Sequence, residues 1–427
     1  MTLTLPVSTR PLTGTTTVPG DKSLAHRAAL FAALAEGTSV VRNYPDSGVT
    51  RAMRGALETL GVPSTLEDGV LRVTGNGFRP FPNRGVTAYC GNSATTIRLL
   101  AGALAGTGSS ATLDGSEGLR KRPMNRIADP LRALGATIET TDGRAPMTFT
   151  AAPDGLRTLD YAVPVASAQV LSCLQIAALG AASPCRFTVP GPVRDHTVRM
   201  LTSMGATMTD KDNVSTVTPL DGAALRPLDA TLPGDISSAA FLFVAAALVP
   251  GSRVTITGIG VNETRTGILD VLAQMGAVVT RANEHLEMGE PVADVTVAAA
   301  PLRAVSIAGD LVVRSIDEFP ALAAAAAFAE GRTVVREAKE LRFKETDRIA
   351  AIVTQLRALG AEVEEFDDGF AVQGGTLTGG TARANGDHRL AMSMALCGLR
   401  APVTVEGAEI LNESFPSFVP TLKSLGA

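Results

Sequence analysis

The chain has 427 residues, 45% of them hydrophobic and 19% charged, and a formal net charge of −4 at pH 7. This composition excludes a disordered chain, and the net negative charge argues against nonspecific binding of nucleic acids. The length is sufficient for two or three domains with cores of their own. Because the chain is acidic overall, any site for anions has to be built locally.

The residues that usually bind metals or form disulfides are few and scattered. The four cysteines show no metal-binding spacing, and the four histidines include no pair typical of a zinc hydrolase. We therefore predict no metal site and reduced thiols in a cytoplasmic protein. The cysteines are Cys90, Cys173, Cys185 and Cys397.

The N-terminal region begins without a secretory pattern and continues into a helix. Residues 1–14, MTLTLPVSTRPLTG, contain no charged segment followed by an apolar one, so we expect no signal peptide. VPGDKSLAHRAAL, residues 18–30, has a turn, a helix start and an apolar run. It places Lys22, Ser23 and Arg27 in the first two turns of a helix predicted to be buried.

A helix of this kind recurs six times along the chain. Each copy opens with a small or acidic polar group that can cap a helix, and each continues as an apolar, alanine-rich body. The copies are GDKSLAHRAAL, GNSATTIRLLAGAL, SAQVLSCLQIAAL, GDISSAAFLFVAAAL, IDEFPALAAAAAFA and GDHRLAMSMAL.

The longest apolar run, residues 239–249, is too short to span a bilayer, so no membrane association is expected. Buried helix N-termini carry partial positive charge, and several together favour an anion site.

A second motif, with an apolar i, i+3 pair followed by Gly, also occurs six times, at intervals of 66 to 84 residues. We predict that each glycine ends a helix in the left-handed conformation and that a strand follows most of them. The glycines are Gly61, Gly135, Gly205, Gly276, Gly360 and Gly426. Each repeat then has strands, a buried helix, one or two further strands and an amphipathic helix.

Three repeats before residue 230 and three after it predict an α/β protein of two similar lobes. The segment PLDATLPGDISSAA, residues 227–240, is the predicted crossover. The N-terminal TTTVPG resembles DATLPG, so a second crossing is expected there. We therefore predict one lobe from residues 15–230 and another from residues 1–14 and 231–427.

Two segments combine basic and acidic residues near helix starts. LRKRPMNRI, residues 119–127, and ELRFKETDRI, residues 340–349, can bind anionic oxygens through guanidinium groups or form surface ion pairs. Asp317 and Glu345 lie beside the predicted N-terminal ends of helices in the second lobe. Each can exchange protons with a substrate or simply cap a helix.

Eight motifs, in order, resemble the 5-enolpyruvylshikimate-3-phosphate synthases, which belong to the enolpyruvyl transferases. They are PGDKSLAHR, GNSATTIRLLAG, RKRPMNR, SAQVLSCL, VRDHTVRML, GDISSAAF, LRFKETDR and GDHRLAM. The resemblance implies two lobes that close over the substrates, each with three βαβαββ-type units around buried helices, an inside-out α/β barrel. It implies transfer of the enolpyruvyl group of phosphoenolpyruvate to the 5-hydroxyl of shikimate 3-phosphate, in chorismate and aromatic amino-acid biosynthesis. No metal or organic cofactor is implied, and we expect a monomer.

The resemblance also assigns roles to individual residues. Asp317 acts on the 5-hydroxyl proton, Glu345 handles the proton at the methylene carbon, and Lys22 lies between the two substrates. The residues implied for shikimate 3-phosphate are Lys22, Ser23, Arg27, Ser167, Ala168, Gln169, Arg194, Asp317 and Lys344. Those implied for phosphoenolpyruvate are Lys22, Asn92, Ala94, Thr95, Arg122, Gln169, Arg348 and Arg389.

Three positions depart from the usual family pattern. Ala94 replaces a glycine that lines the phosphoenolpyruvate pocket in many members, and its methyl group should crowd the longer mimic glyphosate. We therefore expect glyphosate tolerance. Glu413 stands where some members carry a lysine, and Val193 stands where serine or threonine is frequent.

Two alternative functions remain open from the sequence. The sister enzyme that transfers enolpyruvate to UDP-N-acetylglucosamine usually has a catalytic cysteine in a first-lobe loop, but LRKRPMNR contains none. A noncatalytic anion- or RNA-binding repeat protein is disfavoured by the net charge of −4 and by the presence of only three tyrosines.

Overall fold

The computed structural model describes residues 1–427 and contains fourteen α-helices, twenty-three strands and three short 3₁₀ helices. No helix is long and apolar enough to cross a membrane. The helices are α1 (Lys22–Leu34), α2 (Gly48–Thr59), α3 (Ala94–Thr107), α4 (Glu117–Arg120), α5 (Asn125–Leu134), α6 (Ala168–Ala178), α7 (His196–Ser203), α8 (Ile236–Leu248), α9 (Gly267–Gln274), α10 (Asp310–Arg314), α11 (Phe319–Ala326), α12 (Arg348–Ala358), α13 (His388–Cys397) and α14 (Phe418–Ser424).

The strands are mostly short, as expected for a chain of repeated small units. They are β1 (Thr2–Thr4), β2 (Thr13–Thr16), β3 (Glu36–Arg42), β4 (Ser64–Glu67), β5 (Val70–Asn76), β6 (Val86–Tyr89), β7 (Ala111–Asp114), β8 (Thr137–Thr141), β9 (Arg144–Thr150), β10 (Asp160–Ala162), β11 (Cys185–Thr188), β12 (Met208–Lys211), β13 (Val214–Val217), β14 (Asp229–Thr231), β15 (Arg253–Gly260), β16 (Val278–Glu287), β17 (Glu290–Ala298), β18 (Ser306–Ile307), β19 (Arg332–Val335), β20 (Glu362–Phe366), β21 (Gly369–Gln373), β22 (Gly380–Arg383) and β23 (Val403–Glu406). The 3₁₀ helices span Glu263–Arg265, Lys339–Phe343 and Ala408–Glu413.

The six alanine-rich segments form the six helices that the sequence predicts: α1, α3, α6, α8, α11 and α13. Three of them start at an aspartate whose carboxylate accepts hydrogen bonds from backbone N–H groups of the first turn. Asp21 accepts from Leu24 at 2.9 Å, Asp235 accepts from Ser237 at 2.8 Å, and Asp387 accepts from the second and third residues after it. Three of the four GD dipeptides of the sequence therefore precede buried helices, and the fourth, Gly309-Asp310, opens the short helix α10.

The six repeated glycines end the other helices as predicted. All of them have positive φ, between 91° and 112°, which an L side chain rarely adopts. They follow α2, α5, α7, α9, α12 and α14 within one or two residues. The left-handed residue turns the chain out of the helix and, in the first five repeats, into the next strand.

Six sheets repeat one topology, in which a parallel pair is extended on one side by antiparallel strands. Their orders are β14-β3-β5-β4, β6-β7-β9-β8, β10-β11-β13-β12, β2-β15-β17-β16, β18-β19-β21-β20 and β22-β23-β1. The first pair is parallel in all six, and the third strand is antiparallel to the second. The predicted α/β fold of six repeated units is confirmed.

The chain divides into two compact units. The unit called here the N-terminal unit contains residues 20–232 and 286–290, and the C-terminal unit contains residues 1–19, 233–285 and 291–427. In the C-terminal unit β1 pairs with β23 and β2 pairs with β15, so both ends of the chain belong to it. In the N-terminal unit β14 pairs with β3.

Each unit has its own core around three buried helices. Every residue of α8 is buried, and α8, α11 and α13 pack against one another in the C-terminal unit. In the N-terminal unit α3 packs against both α1 and α6. The approach of α3 to α6 needs a residue without a side chain, because a Cβ on Gly102 would lie 2.3 Å from the carbonyl oxygen of Cys173.

Two helical glycines of the N-terminal unit should respond oppositely to alanine. Gly102→Ala should lower the free energy of unfolding by about 1–3 kcal/mol, because the backbone of α6 would have to move. Gly55→Ala in α2 meets no atom within 4 Å and should raise it by about 0.5–1 kcal/mol through better helix propensity. Urea denaturation of both variants measures the difference, and equal shifts would contradict the close packing of α3 and α6.

Candidate active site

The first turn of α1 places polar side chains at one end of the N-terminal unit. Lys22 and Ser23 are half-buried there, whereas Arg27, one turn later, is only 3% exposed. The Arg27 guanidinium donates from Nε to Thr197 Oγ1 and from Nη2 to Ser172 Oγ, both at 2.8 Å. It thereby joins α1 to α7 and α6, and the first turn of α1 is held at a defined place relative to both.

The N-termini of α3 and α6 are also joined by side chains. Gln169 donates from Nε2 to Thr95 Oγ1 at 3.0 Å and accepts at Oε1 from Arg98 Nη1. His26 of α1 lies 3.3 Å from the Oγ of Ser93, which caps α3. Hydrogen bonds therefore connect the N-terminal parts of α1, α3 and α6 into one polar cluster.

The other predicted residues of this unit lie at or near the same helix openings. Ala94 is buried and begins α3, while Asn92 is exposed and accepts a hydrogen bond from Ser116 Oγ at 2.9 Å. Half-buried positions are occupied by Arg122 before α5, Ser167 and Ala168 at the start of α6, and Arg194 before α7.

A second cluster, in the C-terminal unit, is built around the buried guanidinium of Arg348, the first residue of α12. Its Nε lies 2.7 Å from Asp387 Oδ2, and its Nη2 lies 2.7 Å from Glu345 Oε2. Its Nη1 is 3.7 Å from Asp317 Oδ1 and makes no hydrogen bond. Burying this charge requires such carboxylates, because an unpaired guanidinium in the core is very costly.

Two further cations contact Asp317. Lys344 Nζ lies 3.6 Å from its carboxylate, and Arg389 Nη1 donates to its backbone oxygen at 3.1 Å. Five of the predicted site residues thus form one group, here called the C-terminal cluster: Asp317, Lys344, Glu345, Arg348 and Arg389.

The charges of the C-terminal cluster determine its protonation. Partial burial raises the pKa of the Glu345 carboxyl, but the positive charges of Arg348, His388 and Arg389 outweigh it and hold that pKa below its ordinary value. Burial lowers the pKa of the Arg348 guanidinium, and Glu345, Asp387 and Asp317 raise it by more. At neutral pH the Glu345 carboxylate is therefore ionised beside a charged Arg348 guanidinium.

The structure decides whether the two acids cap helices. The cap positions of α11 and α12 belong to Glu318 and Asp347, and Asp347 accepts from Ala350 N at 3.1 Å. Asp317 and Glu345 instead direct their carboxylates at Lys344 and Arg348, so neither serves as a cap.

Part of the basic segments does form surface ion pairs. Arg342 donates to Asp347 at 2.7 Å and to Glu365 at 3.0 Å, beside the C-terminal cluster. The exposed Arg120 pairs with the mostly buried Asp114, and Lys121 pairs with the exposed Glu117. In both basic segments, residues 119–127 and 340–349, ion pairs are therefore formed by arginines or lysines that neighbour the predicted site residues.

Several residues of the clusters were not predicted from the sequence. Asp387 holds the buried Arg348, and Ser172 and Thr197 hold Arg27. The GD dipeptide before α13 is a signal for Asp387, since the same dipeptide precedes α1 and α8. Glu413, at the position of the missing lysine, is exposed at the end of a 3₁₀ helix. No group of three or more His, Cys, Asp or Glu side chains in residues 1–427 is placed to hold a metal ion.

Removal of the buried partner of Arg348 should destabilise the C-terminal unit. Asp387→Ala leaves the guanidinium undercompensated and removes the cap of α13, so the free energy of unfolding should fall by about 3 kcal/mol. Glu364→Ala, which breaks an exposed pair with Arg332, is the control and should change it by about 1 kcal/mol or less. Urea denaturation followed by circular dichroism compares them, and a similar small change in both would contradict the dependence of Arg348 on Asp387.

Comparison with known proteins gives the family. Residues 7–422 match the family described as EPSP synthase (3-phosphoshikimate 1-carboxyvinyltransferase). A protein of Roseiflexus castenholzii named 3-phosphoshikimate 1-carboxyvinyltransferase is 46% identical over 98% of both chains, and one of that name from Geobacter metallireducens is 43% identical over 97% of both. A solved EPSP synthase from Acinetobacter baumannii superposes with a TM-score of 0.90 at 38% identity, covering 100% of this chain and 98% of that one. The chain belongs to the EPSP synthase family.

Proposed function

We propose that the chain transfers the enolpyruvyl group of phosphoenolpyruvate to the 5-hydroxyl of shikimate 3-phosphate and releases phosphate. Relatives that are 43–46% identical over nearly their whole length carry the name of this activity. Its place would be the synthesis of chorismate and aromatic amino acids. The four cysteines are free and buried, which supports a reducing, cytoplasmic location, and we expect the protein to act as a monomer.

The observation that carries this proposal is the C-terminal cluster. It brings two carboxylates within reach of three cations, and Arg348 Nη1 is a buried donor without a hydrogen bond. Such an arrangement suits a substrate that carries a phosphate and a carboxylate beside a carbon that must be protonated. We assign phosphoenolpyruvate to Arg348 and Arg389 in this unit, and to Asn92, Ala94, Thr95, Gln169, Arg122 and Lys22 in the N-terminal unit.

Binding of phosphate would allow one carboxylate, Glu345, to serve both steps of the proposed reaction. A bound phosphate would neutralise the guanidinium groups that hold the proton off Glu345, so the pKa of its carboxyl would rise toward the range in which it can be protonated. Glu345 would then give this proton to the methylene carbon of phosphoenolpyruvate. After addition it would take a proton back from the resulting methyl group as phosphate leaves.

The second substrate needs a base and a place for its phosphate. We assign to Asp317 the role of base, which accepts the proton of the 5-hydroxyl as the hydroxyl oxygen adds to the central carbon of phosphoenolpyruvate. We assign to Lys344 a contact that bridges the two substrate sites. Shikimate 3-phosphate is assigned to the first turns of α1, α6 and α7, where backbone N–H groups and cations suit a phosphate. The residues are Lys22, Ser23, Arg27, Ser167, Ala168, Gln169 and Arg194.

Incubation of the protein with phosphoenolpyruvate and shikimate 3-phosphate should release phosphate. UDP-N-acetylglucosamine in place of shikimate 3-phosphate should give none. Phosphate release from phosphoenolpyruvate with UDP-N-acetylglucosamine but not with shikimate 3-phosphate would favour the sister transferase. No release with either acceptor would favour a noncatalytic anion-binding protein. Either result would contradict the proposal.

Three variants test the assigned catalytic side chains. Lys22→Ala, Asp317→Ala and Glu345→Ala should each lower kcat by about 10²-fold or more, since each removes a proton-transfer or charge-stabilising group. The circular dichroism spectra should remain unchanged. Lys339→Ala and Glu340→Ala, which change exposed residues of the adjacent 3₁₀ helix, are matched controls with expected near-normal kcat. Near-normal rates for all three variants would refute the assignment.

Ala94 should make the enzyme tolerant of glyphosate. Its buried methyl group occupies space at the start of α3, which a longer phosphoenolpyruvate mimic would need. Ala94→Gly should therefore lower the inhibition constant of glyphosate by at least about tenfold, with a smaller change in KM for phosphoenolpyruvate. Tight inhibition of the unmodified protein, unaffected by Ala94→Gly, would contradict this expectation.

A further inference from the structure

His26 is a buried titratable group near the proposed substrate residues, and the proposed reaction gives it no role. It lies in the second turn of α1, between Lys22 and Arg27 in sequence, and is 3% exposed. Its Nδ1 is 2.6 Å from the backbone oxygen of Lys22, and its Nε2 is 3.3 Å from Ser93 Oγ. The ring therefore spans the distance between the first turn of α1 and the cap of α3.

The charge and tautomer of His26 follow from these contacts. Burial lowers the pKa of the ring to about 4, and the nearby charges of Arg27 and Lys22 act in the same direction, against the Lys22 carbonyl and Asp21, which raise it. The ring is thus neutral at the pH of an assay, with one donor and one acceptor. The Lys22 carbonyl can only accept, so the proton is on Nδ1. Nε2 consequently accepts the hydroxyl hydrogen of Ser93.

The other hydrogen bonds of Ser93 fix the direction of that hydroxyl. Ser93 Oγ accepts from the backbone N of Thr96 at 3.1 Å and from Thr96 Oγ1 at 2.9 Å, and so caps α3. Both acceptor positions of the oxygen are used, and its single hydrogen is left for His26. A chain of hydrogen bonds therefore runs from the Lys22 carbonyl through the His26 ring to Ser93 and the first turn of α3, and each bond in it has one donor and one acceptor.

We propose that His26 is a positioning residue that holds the first turn of α1, with Lys22 and Ser23, at a fixed distance from the first turn of α3, with Ala94 and Thr95. This inference rests on the proposed function, in which Lys22 contacts both substrates and the start of α3 contacts phosphoenolpyruvate. Loss of the link would leave each group of ligands intact but displaced relative to the other.

Such a displacement has a distinctive kinetic signature. Small errors in the separation of two reacting groups lower the rate of the chemical step much more than they weaken the binding of either reactant. His26→Ala should therefore lower kcat by about tenfold or more, with each KM changed by less than about threefold. A residue that only fills space would lower thermal stability with little effect on kcat.

Conservative variants of His26 distinguish the contribution of the Nδ1 hydrogen bond from that of the Nε2 hydrogen bond. A glutamine amide can reach the place of Nε2, whereas an asparagine amide reaches only that of Nδ1. Since the proposed role needs the contact with Ser93, His26→Gln should recover more of the wild-type kcat than His26→Asn. The opposite order would contradict the proposal.

The contact itself is tested by removing it from the other side. Ser93→Ala should lower kcat as His26→Ala does, and the double variant should be no slower than the slower single variant, because both remove one link. Multiplicative losses in the double variant would overturn the inference. His285→Ala is the matched control, because this histidine is exposed and its ring forms a local hydrogen bond with the backbone oxygen of Asn283 at 3.0 Å.

Failure of this inference is distinguishable from failure of the proposed function. A wild-type chain that releases no phosphate from the two substrates contradicts the function itself. Normal wild-type turnover, together with kcat of His26→Ala within twofold of it, contradicts the role of His26 alone. If His26→Ala does not fold, the comparison of His26→Gln, His26→Asn and Ser93→Ala decides the question by the same criteria.

Discussion

Both clusters depend on one constraint, which is that the first N–H groups of a buried helix have no partner within the helix and must be satisfied by something else. In this chain the partners are short side chains, Asp21, Ser93, Asp235 and Asp387 among them. The helix bodies are apolar and packed together, whereas their first turns carry polar side chains such as Lys22, Gln169 and Arg389. The same places carry positive potential from the helix dipoles, which is the local property that the proposed anion sites of this acidic protein require.

The C-terminal cluster shows how such a site remains stable before any substrate is bound. Arg348 is buried among Asp317, Glu345 and Asp387, whose negative charges stand where substrate anions are proposed to interact. Only Asp387 is fully buried, and it also caps α13, so it belongs permanently to the fold. The Glu345 side chain is 38% exposed, and it is the carboxylate to which we assign proton transfer. The stabilising role and the proposed chemical role thus fall to two different carboxylates bound to one guanidinium.

The sequence alone predicts local features well. The six capped helices, the six left-handed glycines and the strands after them arise from interactions within a few residues, such as the carboxylate of Asp21 with the N–H of Leu24. Contacts between distant segments were not predictable in this way. The pairing of Arg348 with Asp387 spans 39 residues, and periodicity gives no reason to choose Arg348 over Arg342, which pairs at the surface. The family resemblance separated these two arginines, because it compares whole motifs rather than local preferences.

The pairing of the first strands has a consequence for synthesis on the ribosome. β1 pairs with β23, at residues 403–406, and β2 pairs with β15, at residues 253–260. By contrast, β14, which completes the β3 sheet, is finished by residue 231. The stretch 20–232 can therefore reach most of its packed structure while translation continues, whereas the leading nineteen residues have to stay unpaired until their partners emerge. Nascent chains of this protein thus carry β2 and β1 as unpaired strands until residues 256 and 406, respectively, have been made, a period in which chaperones would find a target.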